Sequence, residues 1–250
     1  MQPHCKLILF DLDDTLWPTR PVLEKAERET YRWMQQHAPR ITECYSLHDT
    51  LKRRMAYLRE QPLASHKVSQ MRIKGYELLA QDCGYSEAAA TRIATKAMEY
   101  FLGFRQQVSC FDDVEKNISQ LAQHYMLGAL TNGNADLSRI PIGKFFAFSL
   151  AGENLPHAKP HISAFEAALQ KASAQAGAEI GAAQAAHIGD DLESDVRGAK
   201  SAGLRAIWLD RSGTTNDVEL ANTAGSADYH ARISSLDDLH NALMQLRFGP

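Results

Sequence analysis

Cysteine is scarce in this chain, long apolar runs are missing, and positive charge is not in surplus. The four thiols, Cys5, Cys44, Cys83 and Cys110, lie far apart and match no metal-ligand spacing. They need not pair, which fits a reducing compartment. The amino terminus has no signal-like apolar region and no run approaches membrane-spanning length, so we expect a cytoplasmic protein with no membrane partner. A formal net charge of -3 gives no general attraction to nucleic acid, and no nucleic-acid partner is expected. An anionic substrate would need a local cationic site. The ten histidines form no ligand pair at useful helical spacing, and no internal repeat is found.

What is present is ordinary soluble composition, 44% hydrophobic and 23% charged, in a chain of 250 residues. That length exceeds the usual single domain, so one large domain or a core with an insertion is expected. The stretch the rest hangs from is Lys6 to Leu16, KLILFDLDDTL. Lys6 to Phe10 reads as a strand buried on both faces. Asp11, Asp13 and Thr15 come next, at its carboxyl end, where open α/β sheets bind ligands. Residues two apart face the same way on an extended chain, so Asp11 and Asp13 can share a site. Two carboxylates about 5 Å apart repel by roughly 3 kcal/mol at an effective dielectric near 20. The pair therefore points to a metal or a shared proton, unless it is only an acidic turn.

Helices are expected at about Val22–His37, stopped by Pro39, then at Ser46–Arg59, His66–Asp82 and Ser86–Gln106. From about Asp112 helices and strands alternate. The helices are Val114–His124, Pro160–Ala176, Leu192–Ala202 and Ser235–Leu246. The strands are Tyr125–Leu130, Phe145–Leu150, Ala185–Ile188 and Arg205–Leu209. This grammar means an α/β core, a parallel sheet with helices on both faces, interrupted by an all-helical block. We assign residues 1–16 and 109–250 to the core and 17–108 to a helical cap domain.

Four polar features adjoin apolar strands: DLDDT at Asp11, TNG at Thr131, KP at Lys159 and GDDLESD at Gly189. Singly each has a bland reading as a turn, a surface lysine or an acidic helix start. Together they resemble the four motifs of the haloacid dehalogenase-like hydrolase superfamily, from Leu7 to about Leu209. The resemblance implies a Rossmann-like core and a phosphomonoester substrate, a small molecule. Asp11 would attack phosphorus to give an aspartyl-phosphate, and Asp13 would serve as acid and then base. Mg²⁺ would be held by the Asp11 carboxylate, the Asp13 carbonyl and Asp190. Thr131, Asn132, Gly133 and Lys159 would hold the phosphoryl group, with Thr15, Asp191 and Asp195 in supporting positions. The dehalogenase branch lacks a carboxylate at the position of Asp13, because a halide leaves without a proton.

A narrower resemblance is carried by FDLDDTLWPTRPVLEKAERE, TNGNA and HIGDDLESDV. These stretches are similar to bacterial phosphatases acting on flavin mononucleotide and on the phosphorylated ribityl-aminouracil of riboflavin biosynthesis. Another sugar or nucleotide phosphate, a phosphomutase reaction, or a non-catalytic phospho-acceptor module remain alternatives, in a monomer or homodimer. Arg20 is the expected specificity residue. Lys52, Arg53, Arg54, Arg59, Lys67, Arg72 and Lys74 read either as a solvated helix face or as a steering patch. Trp17, Tyr31, Trp33, Tyr57 and Tyr76 read as cap core or as a stacking surface. His157 and His161 bracket Lys159, and His187 reads as a core histidine.

Overall fold

Leu7–Phe10 (β1) has no polar side chain and every one of its residues is buried, which suits the middle of a sheet. In the computed structural model, which describes residues 5–60, 66–212 and 229–248, β1 pairs in parallel with strands on both sides. Its neighbours are Met126–Thr131 (β2) and Ala185–Gly189 (β4), with Leu9 opposite Gly128 and His187. Phe148–Ala151 (β3), Arg205–Leu209 (β5) and Ala231–Ile233 (β6) complete a six-stranded sheet of order β3-β2-β1-β4-β5-β6. All the pairings are parallel. The order runs outward from β1 in both directions, and such a switch opens a crevice beyond the carboxyl ends of the strands.

Side chains two apart share a face, so Leu7 and Leu9 point together into one layer. There they meet Ala164, Phe165, Ala168 and Ala172 of the helix Ile162–Ala176, with Val196 and Ala199. Each fully buried leucine in such a layer contributes about 1.5–3 kcal/mol.

The chain divides into two compact units, one made of Met1–Pro18 with Ser109–Pro250 and the other of Thr19–Val108. Trp17 and Pro18 go with the sheet unit. The second unit contains Thr19–His37 (α1), Pro39–Cys44 (α2), Leu47–Arg59 (α3), Val68–Asp82 (α4) and Glu87–Arg105 (α5). Its interior is Met34, Ile41, Tyr76, Leu79 and the alanine stripe Ala90, Ala94 and Ala97, with Ala26, Met98 and Phe101 nearby. Beyond these lie Val114–Leu121 (α6), the α7 helix Ile162–Ala176, Gly198–Ser201 (α8) and Leu239–Gln245 (α9) in the sheet unit. No helix among the described residues is long and apolar enough to cross a membrane.

Several boundaries differ from the sequence reading for identifiable reasons. The first helix starts at Thr19, three residues earlier, with Pro21 inside its first turn, where a backbone N–H has no helical partner to lose. Pro39 does more than stop that helix, because it opens α2. Of the stretch 145–147 expected as strand, Phe145 ends a 3₁₀ turn, Pro141–Phe145, and Phe146 and Ala147 connect it to β3, which starts only at Phe148. The helix expected at 192–202 is a π-helical stretch, Leu192–Arg197, running into α8. β6, only three residues of mixed character, has no periodic signal by which the sequence could announce it.

The basic residues of the helical unit do not form one solvated face. Arg54 is buried and forks onto Glu27 with bonds of 2.9 and 2.6 Å, and Arg72 joins the same carboxylate. Arg53 pairs with Asp82 and Lys74 with Glu77. The aromatic set divides between the interior and half-buried positions, the latter being Tyr31, Trp33 and Tyr57. Trp17 and Tyr76 are fully buried, and the Tyr31 hydroxyl donates to the Tyr45 carbonyl.

Candidate active site

The ladder holding β1 to β4 carries on past Phe10, with Asp11 N–H donating to the Ile188 carbonyl at 2.9 Å. That bond sets the Asp11 carboxylate at the mouth of the crevice, on the face shared by Leu7 and Leu9. The chain then turns sharply at Asp14, whose φ of 57° is the left-handed conformation that aspartate tolerates better than most residues. Asp14 N–H donates to the Trp17 carbonyl at 2.8 Å, closing the turn. Within it the Trp17 indole N–H donates to Asp13 Oδ1 at 3.0 Å, and the Thr15 hydroxyl donates to Asp190 Oδ1 at 2.9 Å. The last contact joins the ends of β1 and β4.

Lys159 is buried, and its ammonium donates to Asp11 Oδ1 at 2.7 Å and to Asp195 Oδ1 at 2.5 Å. Asp195 takes two more donors: His187 Nε2 at 2.8 Å on Oδ1, and Asp191 N–H at 3.2 Å on Oδ2. A Cβ at position 189 would lie 2.2 Å from Asp195 Cγ, so Gly189 is what allows the carboxylate in. The Asn132 carboxamide grips the main chain of Lys159 at both ends, donating to its carbonyl at 2.8 Å and accepting from its N–H at 3.0 Å. Thr131 Oγ1 accepts from Gly133 N–H at 3.0 Å. The Asp191 carboxylate caps the next turn, accepting from Glu193 and Ser194 N–H.

Burial acts first on every charge here. It raises the Asp11 carboxyl well above its ordinary range, and Asp195 and Asp190 add to that, so Lys159 does not compensate fully. Asp190 is pushed up to about 6 by burial and by Asp195. Burial would also raise Asp195, but Lys159 and His187 outweigh it and keep that group ionised. Lys159 stays charged because Asp11 and Asp195 overcome its own desolvation. His187 is lowered by burial more than Asp195 raises it, so the ring is neutral and carries its hydrogen on Nε2, facing an acceptor.

Carboxylate oxygens of Asp11, Asp190 and Asp195 lie within 4.8 Å of one another. The buried Asp11 and the half-buried Asp190, both with raised pKa values, stand beside the ionised Asp195, a site short of positive charge that a hard divalent cation fits. Asp195 already accepts three donors, so Asp11 and Asp190 are the carboxylates with lone pairs to give.

The residues expected from the motifs thus divide into groups. Asp11, Lys159, Asp190 and Asp195 converge directly, Thr15 reaches the group through Asp190, and Asn132 reaches it through the Lys159 backbone. Thr131 ends β2, the strand beside β1 at a spacing of about 4.8 Å, and Gly133 lies in the bend that follows it. Arg20 belongs to the helical unit, is 88% exposed at its side chain and pairs with Glu24 at 2.7 Å. His157 and His161 stack on each other, with ring centroids 4.2 Å apart. Sequence reasoning misses two participants. Trp17 groups by position with the helical block, although it holds Asp13. His187 reads as packing, but its parity with Gly189 along β4 aims it at the layer containing Asp195.

Residues 5–203 match the haloacid dehalogenase-like hydrolase family. A 5-amino-6-(5-phospho-D-ribitylamino)uracil phosphatase of Escherichia coli is 31% identical over 202 residues, 81% of this chain and 82% of that protein. A glyceraldehyde 3-phosphate phosphatase of Methanopyrus kandleri is 26% identical over 230 residues, 90% of this chain and 91% of its own. Among solved structures, a 2-haloacid dehalogenase from Pseudomonas syringae is 34% identical with a TM-score of 0.83, covering 96% of this chain and 98% of that one. The chain belongs to the haloacid dehalogenase-like hydrolase family.

Proposed function

We propose that this enzyme hydrolyses small-molecule phosphomonoesters with Mg²⁺, carrying the phosphoryl group on Asp11. The observation behind the reading is the buried Lys159 ammonium bridging Asp11 and Asp195 beside Asp190. Lys159 holds Asp11 Oδ1, so Oδ2 attacks phosphorus, forming an O–P bond as the ester O–P bond breaks. Asp13, steadied by the Trp17 indole, gives its proton to the departing alkoxide. It then takes a proton from the water that attacks the aspartyl-phosphate, releasing inorganic phosphate and regenerating Asp11. The Thr131 hydroxyl, already accepting from Gly133, has its hydrogen left to donate to a phosphoryl oxygen. Lys159 offsets the charge of nucleophile and phosphoryl group together. Mg²⁺ would be held by Asp11, the Asp13 carbonyl and Asp190, and when bound supplies charge neutralisation at the phosphoryl oxygens.

The leading substrates are phosphorylated ribityl-aminouracil, supported by the name of the E. coli relative, and flavin mononucleotide, supported by the resemblance of the stretches around Asp11, Thr131 and Gly189. The name of the Pseudomonas relative favours a second reading, dehalogenation. Asp13 argues against it, since a leaving halide needs no proton donor. A screen of phosphorylated metabolites alongside 2-chloropropionate separates the two. Release of phosphate from a ribityl or flavin phosphate is the expected result, and chloride release without phosphate release would reverse the assignment. Asp11→Asn should abolish turnover and leave the circular dichroism spectrum unchanged.

A further inference from the structure

Among the groups around the site, His187 has no part in the phosphoryl transfer itself, yet its placement is unusual. It lies on β4 opposite Leu9 and is 1% exposed, where the apolar side chains of Leu9 and Phe165 adjoin the buried Asp195. Phe165 packs edge-on against its ring, centroids 5.3 Å apart at 87°, which fixes the plane of the imidazole. In that plane Nε2 meets Asp195 Oδ1 at 2.8 Å, while Nδ1 is buried with no hydrogen-bond partner among the described residues. A residue needed only for packing would be valine or isoleucine here, because an unpaired buried acceptor costs desolvation that a hydrocarbon avoids.

We infer that His187 is a positioning residue, whose Nε2–H orients Asp195 and through it directs the Lys159 ammonium onto the Asp11 nucleophile. This deepens the phosphohydrolase reading and rests on it. Asp195 Oδ1 receives both Lys159 and His187. Each donor draws on the same oxygen, so the histidine moderates the hold of Asp195 on the lysine and fixes the direction from which it acts. Without that donor, only the 3.2 Å bond from Asp191 N–H and Lys159 itself restrain the Asp195 carboxylate, so it can tilt about its Cβ–Cγ bond and draw Lys159 away from Asp11. Orientation lost between two groups that do not touch substrate should appear in the chemical step more than in binding.

The test compares His187→Phe, which keeps the ring shape without a donor, with His187→Gln, whose amide N–H can reach the Nε2 position. For Phe, kcat is expected to fall about tenfold to a hundredfold, the range for supporting groups one contact removed from the reacting atoms, with KM nearly unchanged. For Gln, most of kcat should return. Equal kcat in Phe and wild type, or equal loss in Phe and Gln with both folded, would overturn the inference. Long-range ¹⁵N–¹H spectra of histidine-labelled wild-type protein give a second readout that needs no turnover. A proton on Nε2 and none on Nδ1 is expected, and the opposite tautomer would also overturn it. An inactive wild type with the expected tautomer would sink the phosphatase reading and leave the contact standing.

Discussion

The Asn132 side chain acts on the site through its two bonds to the Lys159 main chain, which fix where the ammonium starts from. Replacing it by alanine removes both restraints and leaves the main chain of the Thr131–Gly133 loop in place. We expect kcat to fall about a hundredfold for a displacement of the order of 1 Å, and stability to fall by about 1 kcal/mol per lost bond. Asn132→Asp, which keeps only the acceptor for Lys159 N–H, should lie between. Steady-state kinetics and urea denaturation on both variants check the order. At this scale the motif residues were legible, because Asp, Thr, Lys and Gly each bring chemistry that few other types supply. The bond that each side chain makes was not. Asn132 and Asp191 use their side chains to shape the backbone, an assignment that depends on atoms 27 residues away in one case and two or three in the other.

Within the helical unit, α1, α3 and α4 meet at Glu27, which faces two guanidinium groups. Arg54 also lies over the Tyr76 ring at 4.8 Å and Arg72 over the Phe101 ring at 3.7 Å, so both cations have aromatic support and share the Glu27 carboxylate. Glu27→Gln keeps the shape and leaves the buried Arg54 and the half-buried Arg72 without the carboxylate they share. A loss of about 3–5 kcal/mol is expected in the denaturation of the helical unit, the usual cost of breaking a buried pair from one side. Burial alone would raise the Glu27 carboxyl, but Arg54 and Arg72 outweigh it and hold it below its ordinary value near 4.5. The native state therefore binds this proton less tightly than the unfolded chain. Stability from the cluster is complete above about pH 4.5 and declines as pH falls through the native value. The gap between wild type and Glu27→Gln should shrink in acid, and urea melts from pH 7 down to pH 3 measure it. The helices themselves were readable from periodicity and from prolines. The partner of each arginine was not, because Glu27 and Arg54 lie 27 residues apart on helices whose mutual rotation comes from packing.

For the molecule as a whole, the balance of charge in the sheet unit predicts how it responds to metal. Asp11 and Asp190 are raised by burial and by neighbouring acids, so a divalent cation relieves a cost that the folded protein carries without it. At a concentration about a hundred times its dissociation constant, Mg²⁺ should stabilise the protein by about 2.7 kcal/mol. Calorimetry should show a higher melting temperature on adding Mg²⁺ and its reversal by EDTA, and Asp190→Asn should lose most of the shift. A shift of equal size in that variant would put the ion elsewhere.

The order of the short apolar runs, and the polar residues at the end of each, were determined by the chain itself. A parallel sheet needs buried strands and crossover helices, and only the carboxyl ends of such strands can collect polar side chains without exposing the core, so alternation and motif position were enough. The tertiary structure alone decided which strands became neighbours of β1. It thereby decided that Asp11 and Asp195, 184 residues apart in sequence, share one ammonium, and that a histidine in the hydrophobic layer stands behind them. The physical reason is that a hydrogen bond depends on direction within a few tenths of an ångström. Hydrophobic periodicity specifies which face is buried, but not which atoms meet there.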